Sequence, residues 1–383
     1  MQSYFTKFSY SKARENYHVA VLTNRAVLCD RDERPSMTGI VSYGVYIPKY
    51  RIKPSQVAHA WGKEVKGVEN SLGVFEKAVA SVDEDAVTLA VESSFRALTN
   101  GQIEPEKIGA ITIGSESHPY AVKPSSTTVA GILGMQGEYL AVDLEFACKA
   151  GTAGIQLLSS LVEAKKAQYC LAIGSDVAQA KPSDVLEYTA GSAAAAFILG
   201  RDNLIAELLD FTSYSSDTPD FWRKDNEKFP SHAGRFTGGP AYFAHVGKAS
   251  ELIFEKTKMK PSDFDYAVFH MPNGKFPKEA ARKLGFSEQQ LKPGFVVPFI
   301  GNPYSASSMV GLAATLDIAK NGDKIFVCSY GSGAGADAFV FEVTKNITAH
   351  QTKNKESVAK QIKNKQYIDY SLLAKNIISK YRI

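Results

Sequence analysis

The apolar stretch Ile108-Gly-Ala-Ile-Thr-Ile-Gly114 decides the fold, because Phe264-Asp-Tyr-Ala-Val-Phe-His270 repeats its pattern roughly 155 residues later. A proline precedes each stretch by a few residues, and continuous apolar runs of this length are typical of strands buried on both faces. The chain of 383 residues is long enough for two such units. The spacing therefore predicts an internal duplication.

The segments around these two stretches also match in order. Each has an amphipathic helix pattern before it, then a helix rich in small residues and two further apolar strands. The matched pairs are 85–98 with 240–254, 148–165 with 302–320, 169–174 with 324–329, and 194–199 with 338–343. Alternating strands and helices predict an α/β protein with a mostly parallel sheet. We expect two similar halves related by a pseudo-twofold axis; two unrelated α/β domains are the alternative.

Four polar residues occupy equivalent places in the two halves. Glu116 and His270 end the matched strands, and Cys148 and Asn302 open the matched helices. Ligands of α/β folds bind at the carboxyl ends of strands and at helix N-termini. A pseudo-twofold axis would bring all four residues into one cleft, which predicts an active site there.

The residue types suggest roles in this cleft. The dipole of the following helix favours a thiolate at Cys148, so we expect a nucleophile, the alternative being a buried inert thiol such as Cys170 or Cys328. Glu116 is a candidate general acid and base, and His270 suits a carbonyl oxygen. Asn302 is either a site residue or a helix cap.

The sequence predicts neither a dinucleotide-binding site nor a metal site. Gly331-Ser-Gly-Ala-Gly-Ala336 matches a dinucleotide fingerprint, but the segment after it is strand-like and not helical. We expect its backbone N–H groups to face an oxyanion instead. The histidines and cysteines lack the spacing of a metal site, so no metal is predicted.

The charge of the chain is uneven. Residues 344–383 hold nine basic and two acidic residues, so this tail carries +7, whereas the rest carries −3. The acidic body excludes nucleic-acid binding by the main fold, and we expect the tail to be a solvated or partner-docking appendage. The four cysteines form no framework and no apolar run is long enough to span a membrane, which predicts a cytoplasmic protein. Residues 1–36 resemble neither a signal peptide nor a transit peptide, and we expect Met37 to be the native start.

The chain from Met37 to about Tyr370 resembles hydroxymethylglutaryl-CoA synthase of the archaeal type, within the thiolase superfamily. The matching segments are residues 39–48, 114–117, 145–151, 221–223, 232–237, 269–277, 301–302 and 329–333. The resemblance implies a thiolase-like fold in five layers, αβαβα. It places the first half at 37–200, the second half at 201–343 and the basic tail at 344–383.

The resemblance also implies an activity. The family condenses acetyl-CoA with acetoacetyl-CoA and water, giving hydroxymethylglutaryl-CoA and CoA for the mevalonate route to isoprenoids. Cys148 would carry the acetyl group, Glu116 would be the acid/base, and His270 would hold the acetoacetyl group beside Asn302. The backbone N–H groups of Cys148 and Ser332 would form the oxyanion hole.

The remaining implications concern ligands and partners. Thr189, Arg235, Thr237 and Lys275 look like ligand contacts, with Arg235 and Lys275 suited to the CoA phosphates. CoA thioesters are substrates, so no cofactor is expected. The resemblance implies a homodimer and an assembly with an acetoacetyl-CoA thiolase and a small zinc-ribbon/OB-fold protein. The region from Trp61 to Lys66 matches the family only loosely. The family usually has another basic residue after Lys275, and its counterpart in this chain is not assigned.

Two rival functions remain at this point. A ketoacyl-ACP synthase III-like or thiolase-like condensing enzyme would use the same fold for another reaction. An inactive scaffold that binds acyl-CoA would need none of Glu116, Cys148 and His270.

Overall fold

The computed structural model describes residues 38–178 and 180–381, which fold around one extended sheet. The strands of the described residues are β1 Gly39–Tyr46, β2 Tyr50–Ile52, β3 Lys77–Val79, β4 Ile108–Gly114, β5 Leu140–Leu144, β6 Tyr169–Val177, β7 Ser192–Gly200, β8 Ala206–Ser215, β9 Phe221–Trp222, β10 Ser231–His232, β11 Tyr266–Phe269, β12 Lys324–Cys328, β13 Gly335–Val343 and β14 Gln366–Tyr367. The α-helices are α1 Pro54–Ala60, α2 Val68–Leu72, α3 Ala86–Gly101, α4 Ser125–Leu133, α5 Ala150–Glu163, α6 Gly234–Phe236, α7 Ala244–Thr257, α8 Phe276–Leu284, α9 Glu288–Leu291, α10 Val297–Ile300, α11 Ser307–Leu316, α12 Ile347–Lys353, α13 Val358–Lys363 and α14 Tyr370–Tyr381.

The duplication is visible in the order of the large sheet, which is β11-β12-β13-β8-β1-β7-β6-β4-β5. The two halves meet where β1 pairs with β8 at Gly39 and Glu207. Outward from this junction, β1, β7, β6 and β4 correspond to β8, β13, β12 and β11. The expectation of two similar halves is therefore confirmed.

The sheet is mixed, so the expectation of a mostly parallel sheet is wrong. Among the described strands of the large sheet, parallel pairing occurs in β5-β4-β6 and in β11-β12, and the other neighbours are antiparallel. The reason lies in the connections, because β7 and β13 follow their predecessors without a crossover helix. A strand that returns through a turn must run antiparallel.

The helices form outer and central layers around this sheet. α3 packs on β1, β6 and β7 of the first half, whereas α7 packs on β8 and β13 of the second. α5 and α11 lie between, and α11 contacts both β7 and β11. A Cβ at Gly151 would lie 2.5 Å from Sδ of Met309. The central helices approach this closely because the residue of α5 that faces Met309 is a glycine.

Local sequence explains how the outer helix of the first half begins. The Asp85 side chain accepts a hydrogen bond from the Thr88 backbone N–H at 2.8 Å. In return, the Thr88 hydroxyl oxygen accepts one from the Asp85 backbone N–H at 2.7 Å. This capping box satisfies two N–H groups that the helix itself leaves unpaired. The apolar face that follows, including Ala90 and Ala97, is fully buried against the sheet.

The basic tail packs onto the body, so the expectation of a solvated appendage is wrong. Ile347 and Val358 are buried, and β14 pairs with β2 in a small sheet with β3. Lys365 Nζ lies 2.5 Å from Oε1 of the buried Glu76. Apolar side chains spaced along the tail thus outweigh its net charge.

The proposed start at Met37 concerns residues outside those described. No helix within the described residues is long and apolar enough to cross a membrane.

Candidate active site

The structure brings Cys148 and Glu116 into direct contact. Glu116 follows β4, and Cys148 lies in the 3₁₀ turn Ala147–Lys149 that leads into α5. The Cys148 thiol donates to Oε1 of Glu116 at 2.8 Å. A Cβ at Gly114 would lie 2.2 Å from the carbonyl carbon of Ala150, so only glycine lets the strand end approach the helix start this closely. The predicted pairing of Glu116 with Cys148 is therefore present.

The electrostatics of this pair favour protonated groups. Burial, and then the negative charge of Asp176, raise the pKa of Glu116 to about 8. Burial and the neighbouring Glu116 carboxyl raise the pKa of Cys148 well above its usual value. The expectation of a resting thiolate is therefore wrong, because α5 starts two residues after Cys148 and acidic groups face the sulfur. The resting site holds a thiol that hydrogen-bonds to a carboxyl group.

Asp176 is a functional residue that the sequence reasoning missed. Its fully buried carboxylate accepts hydrogen bonds from the Ser115 hydroxyl at 2.9 Å, the Ser117 hydroxyl at 2.6 Å and the Glu116 N–H at 2.8 Å. The backbone N–H of Ser305, in the second half, donates to its other oxygen at 2.8 Å. Asp176 therefore fixes the Glu116 backbone across the pseudo-twofold axis. Its place near the end of β6, next to β4, was the signal that could have found it.

His270 follows β11 in the second half and is almost completely buried. Burial lowers its pKa to about 3, so the imidazole is neutral at physiological pH. The Tyr242 hydroxyl donates to the His270 carbonyl oxygen at 2.7 Å, and the rings of His270 and Tyr330 lie 6.1 Å apart. The Tyr330 hydroxyl in turn donates to Asp220, and the negative charge of Asp220 contributes to the raised pKa of Cys148. His270 is thus a buried, neutral imidazole in ring contact with Tyr330.

Asn302 links the halves through its backbone and caps a turn through its side chain. Its N–H donates to the Thr189 carbonyl oxygen at 2.7 Å, and its own carbonyl accepts from Gly191 at 2.9 Å. Its Oδ1 accepts from the Tyr304 N–H at 3.0 Å. Ala190, between these partners, packs in the same apolar cluster as Cys148. Thr189 and Asn302 therefore lie beside Ala190, a member of the cluster that contains Cys148, and Asn302 is also a cap.

The counterpart of Cys148 in the second half is Ser305, and not Asn302 as the sequence spacing suggested. The 3₁₀ turns Ala147–Lys149 and Tyr304–Ala306 precede α5 and α11, and each begins with a residue at positive φ, 45° at Ala147 and 42° at Tyr304. Asn302 and Pro303 form a turn before that point, so the second helix begins later than expected. Ser305 donates through its hydroxyl to the Gly114 carbonyl oxygen at 2.8 Å, a structural role.

The glycine-rich turn lies against the Cys148 turn. A Cβ at Gly331 would lie 2.6 Å from the carbonyl oxygen of Phe146 and 3.2 Å from the Lys149 nitrogen. Ser332 lines an open cleft of about 960 Å³ together with Glu116. Other walls of the cleft, which the sequence reasoning did not select, are Tyr120, Phe146, Phe221, Trp222, Arg223, Lys224 and Tyr304.

Several predicted site residues do not line that cleft, among them Cys148, Thr189, His270 and Asn302. The same holds for the remaining predicted ligand contacts. Arg235 in α6 and Lys275 at the start of α8 are exposed, and Thr237 is half-buried where α6 ends. None of the three is among the cleft-lining residues of the described structure. From the loosely matching region, Trp61 donates through Nε1 to the buried Glu187 at 3.0 Å, two residues before Thr189.

The other described cysteines differ from Cys148. Cys170 and Cys328 are buried inside strands, where burial raises each pKa to about 12. In the part of the chain that the structure describes, no group of three or more His, Cys, Asp or Glu residues is placed to hold a metal ion.

The chain is similar in sequence to a family model and to known enzymes. The C-terminal family model of 3-oxoacyl-[acyl-carrier-protein (ACP)] synthase III matches residues 254–343. Hydroxymethylglutaryl-CoA synthase of Archaeoglobus fulgidus is 53% identical over 340 residues, which cover 89% of this chain and 98% of that protein. The same enzyme of Methanothermobacter thermautotrophicus is 52% identical and covers 88% and 98%.

Solved structures agree on the fold. MvaS in complex with 3-hydroxy-3-methylglutaryl coenzyme A has a TM-score of 0.81 at 20% identity, covering 89% of this chain and 91% of that chain. A hydroxymethylglutaryl-CoA synthase complexed with CoA has a TM-score of 0.80 at 24% identity, covering 90% of each chain. These likenesses confirm the expected thiolase-like fold.

Proposed function

Because the chain belongs to the hydroxymethylglutaryl-CoA synthase family, we propose that Cys148, Glu116 and His270 carry out its condensation of acetyl-CoA with acetoacetyl-CoA. The observation that carries this assignment is the contact of 2.8 Å between the Cys148 sulfur and Oε1 of Glu116, at the junction of the halves. A nucleophile within reach of an acid/base group is the arrangement that acyl transfer requires.

Acetyl transfer is the first step. The Cys148 sulfur attacks the carbonyl carbon of acetyl-CoA, and the bond from that carbon to the CoA sulfur breaks. The reacting form is the fraction of enzyme in which Glu116 is ionised: its carboxylate accepts the thiol proton along the hydrogen bond and passes it to the departing CoA sulfur. The backbone N–H groups of Cys148 and Ser332 bind the oxyanion that forms on the carbonyl, and each such donor contributes roughly 10²–10³-fold to the rate.

Carbon–carbon bond formation is the second step. Glu116, now a carboxylate, takes a proton from the methyl group of the acetyl thioester, and the same oxyanion hole binds the enolate oxygen. The enolate carbon attacks the ketone carbon of acetoacetyl-CoA. His270, neutral because burial holds its pKa at about 3, donates a hydrogen bond to the ketone oxygen. Glu116 returns its proton to the alkoxide that forms there.

Hydrolysis completes the cycle. Water attacks the thioester carbonyl on Cys148, the bond to sulfur breaks, and the product leaves with a free carboxylate. Glu116 takes a proton from the attacking water and returns it to the departing Cys148 sulfur, and the product acid loses its remaining proton to solvent. Loss of the thioester makes the condensation irreversible.

The ligand contacts follow from the family motifs. Arg235 and Lys275 are exposed cations and suit the CoA phosphates, with Thr189, Thr237 and Asn302 as further contacts. A second basic contact beyond Lys275 is not assigned.

We also propose a cytoplasmic homodimer that forms along β5. Within the part of the chain that the structure describes, this strand is an edge of the large sheet, and its Leu140 and Ile132 of the adjacent α4 are exposed, as is Val122. Exposed apolar groups beside a free strand edge favour pairing with another chain. Light scattering tests this state, and a monomer at micromolar concentration would contradict it. Assembly with an acetoacetyl-CoA thiolase and a small zinc-ribbon/OB-fold protein stays a prediction.

Incubation with acetyl-CoA and acetoacetyl-CoA tests the reaction. We expect hydroxymethylglutaryl-CoA and one free CoA for each acetoacetyl-CoA consumed. Loss of acetoacetyl-CoA without this product would favour a thiolase-like or ketoacyl synthase-like reaction. Failure of Cys148 to become acetylated would favour an acyl-CoA-binding scaffold.

A further inference from the structure

The residue that follows Cys148 forms a buried ion pair. Lys149 Nζ lies 2.7 Å from Oδ1 of Asp337, and the side chains are 4% and 0% exposed. The same ammonium group lies 3.8 Å from the centre of the Phe146 ring. Removing two opposite charges from water is costly unless both are well paired, so this contact is a specific feature of the Cys148 turn.

Asp337 gathers contacts from several elements. Its Oδ2 accepts from the Thr152 hydroxyl in α5 at 2.9 Å, and its Oδ1 accepts from the Ser213 hydroxyl in β8 at 2.7 Å. Thr152 also lies 2.8 Å from the Ser329 hydroxyl. The pair therefore joins the Cys148 turn of the first half to β8 and β13 of the second.

Asp337 also belongs to the base of the glycine-rich turn. The Ser329 N–H donates to the Asp337 carbonyl oxygen at 2.9 Å, and the turn between them contains Gly331 and Ser332. Gly331 is in close contact with Phe146 and Lys149, so the two turns lie directly against each other. The Lys149–Asp337 pair links the Cys148 turn to β13, which follows the glycine-rich turn.

We propose that Lys149 and Asp337 are positioning residues, whose ion pair holds the Cys148 turn against the Gly331–Ser332 turn in the arrangement that acetyl transfer requires. The inference rests on the proposed acetyl-cysteine chemistry. Neither side chain touches the substrate. The pair acts by setting the separation of the two N–H groups that bind the oxyanion, and small displacements of such donors lower the rate strongly.

The test measures single-turnover acetylation of Cys148 by acetyl-CoA in Lys149→Met, which keeps the length of the side chain and removes its charge. We expect the rate to fall about 10²-fold, with the KM for acetyl-CoA changed less than about threefold. Asp337→Asn keeps the size of the side chain and weakens the pair, and we expect a fall of about tenfold. Lys365→Met, which breaks another partly buried ion pair, with Glu76, is the matched control and should acetylate at the wild-type rate.

A double variant separates positioning from stability. Lys149→Met with Asp337→Leu leaves no unpaired buried charge, so its melting temperature should recover toward wild type, while its acetylation stays slow. Wild-type acetylation in any folded variant of the pair, or recovery of rate together with melting temperature in the double variant, would overturn the proposal. An absence of acetylation in the wild-type protein would instead reject the proposed function.

Discussion

The two halves present the same backbone junction with opposite chemistry. In the first half, burial and neighbouring acids raise the pKa values of Glu116 and Cys148, so this side retains protons. In the second half, burial alone lowers the pKa of His270, so this side stays neutral. Desolvation favours the uncharged form everywhere. Residue identity, and not a difference in fold, therefore divides proton transfer from substrate holding.

The largest difference between the halves should appear at the paired turns. Cys148→Ala removes the nucleophile, so we expect no acetyl-enzyme and a loss of at least about 10⁴-fold in turnover. Ser305→Ala changes the equivalent residue of the second half and is the matched control. We expect it to retain the adduct of about 42 Da in intact mass spectrometry. An adduct that persists in Cys148→Ala would place the nucleophile elsewhere.

Glu116→Ala should separate acetylation from condensation. Removing the carboxyl group lowers the pKa of Cys148, which compensates for the lost proton acceptor, so acetylation should stay within about tenfold of wild type. Condensation should fall by about 10²–10⁴-fold because no base takes the methyl proton. Rapid-quench assays follow both steps, and normal condensation would remove Glu116 from its acid/base role.

His270→Ala should affect the other half of the reaction. We expect the KM for acetoacetyl-CoA to rise by about 10–100-fold, because the ketone oxygen loses its donor, while the acetylation rate is unchanged. Steady-state kinetics with each substrate varied in turn measure this split. Unchanged kinetics for acetoacetyl-CoA would show that His270 does not hold it.

The rate of condensation should depend on pH only through the ionisation of Glu116 in the first half. Proton abstraction needs the Glu116 carboxylate, and with a pKa of about 8 its ionised fraction rises about tenfold from pH 7 to the plateau. His270 is neutral above about pH 4 and adds no inflection. Asp176→Asn removes a negative charge beside Glu116, so the midpoint should move to lower pH. A midpoint that Asp176→Asn leaves unchanged would contradict this electrostatic account.

Asn302→Ala should have the smallest effect. It removes the acceptor for the Tyr304 N–H, and the loss of a cap costs about 1 kcal/mol in the free energy of unfolding. Asn302→Asp keeps the acceptor and should retain this stability. Thermal unfolding compares the two variants, and equal melting temperatures would show that the cap contributes little.

The sequence predicted the duplication and most strands of the large sheet, since both follow from apolar periodicity, but it did not predict β5 and β8. It failed on strand direction, because the direction of β7 and β13 is set by turns and not by strand composition. The charge count of the tail concealed Ile347 and Val358, whose burial anchors it.

For the site, residue types predicted Glu116, Cys148 and His270, but not their protonation states. Those states depend on Asp176 and on burial, which only the tertiary structure brings to the sulfur. The shifted start of α11 depends likewise on the turn at Asn302 and Pro303, and spacing alone did not show it.

The central claim is that the first half makes and activates an acetyl thioester that the second half presents to its acceptor. The most direct test isolates enzyme that carries a labelled acetyl group on Cys148 and then mixes it with acetoacetyl-CoA for a single turnover. The account predicts that the label leaves Cys148 and appears in hydroxymethylglutaryl-CoA, whereas in Glu116→Ala it stays on Cys148. Release of the label as acetate without the condensation product, or equal chase in both proteins, would contradict it.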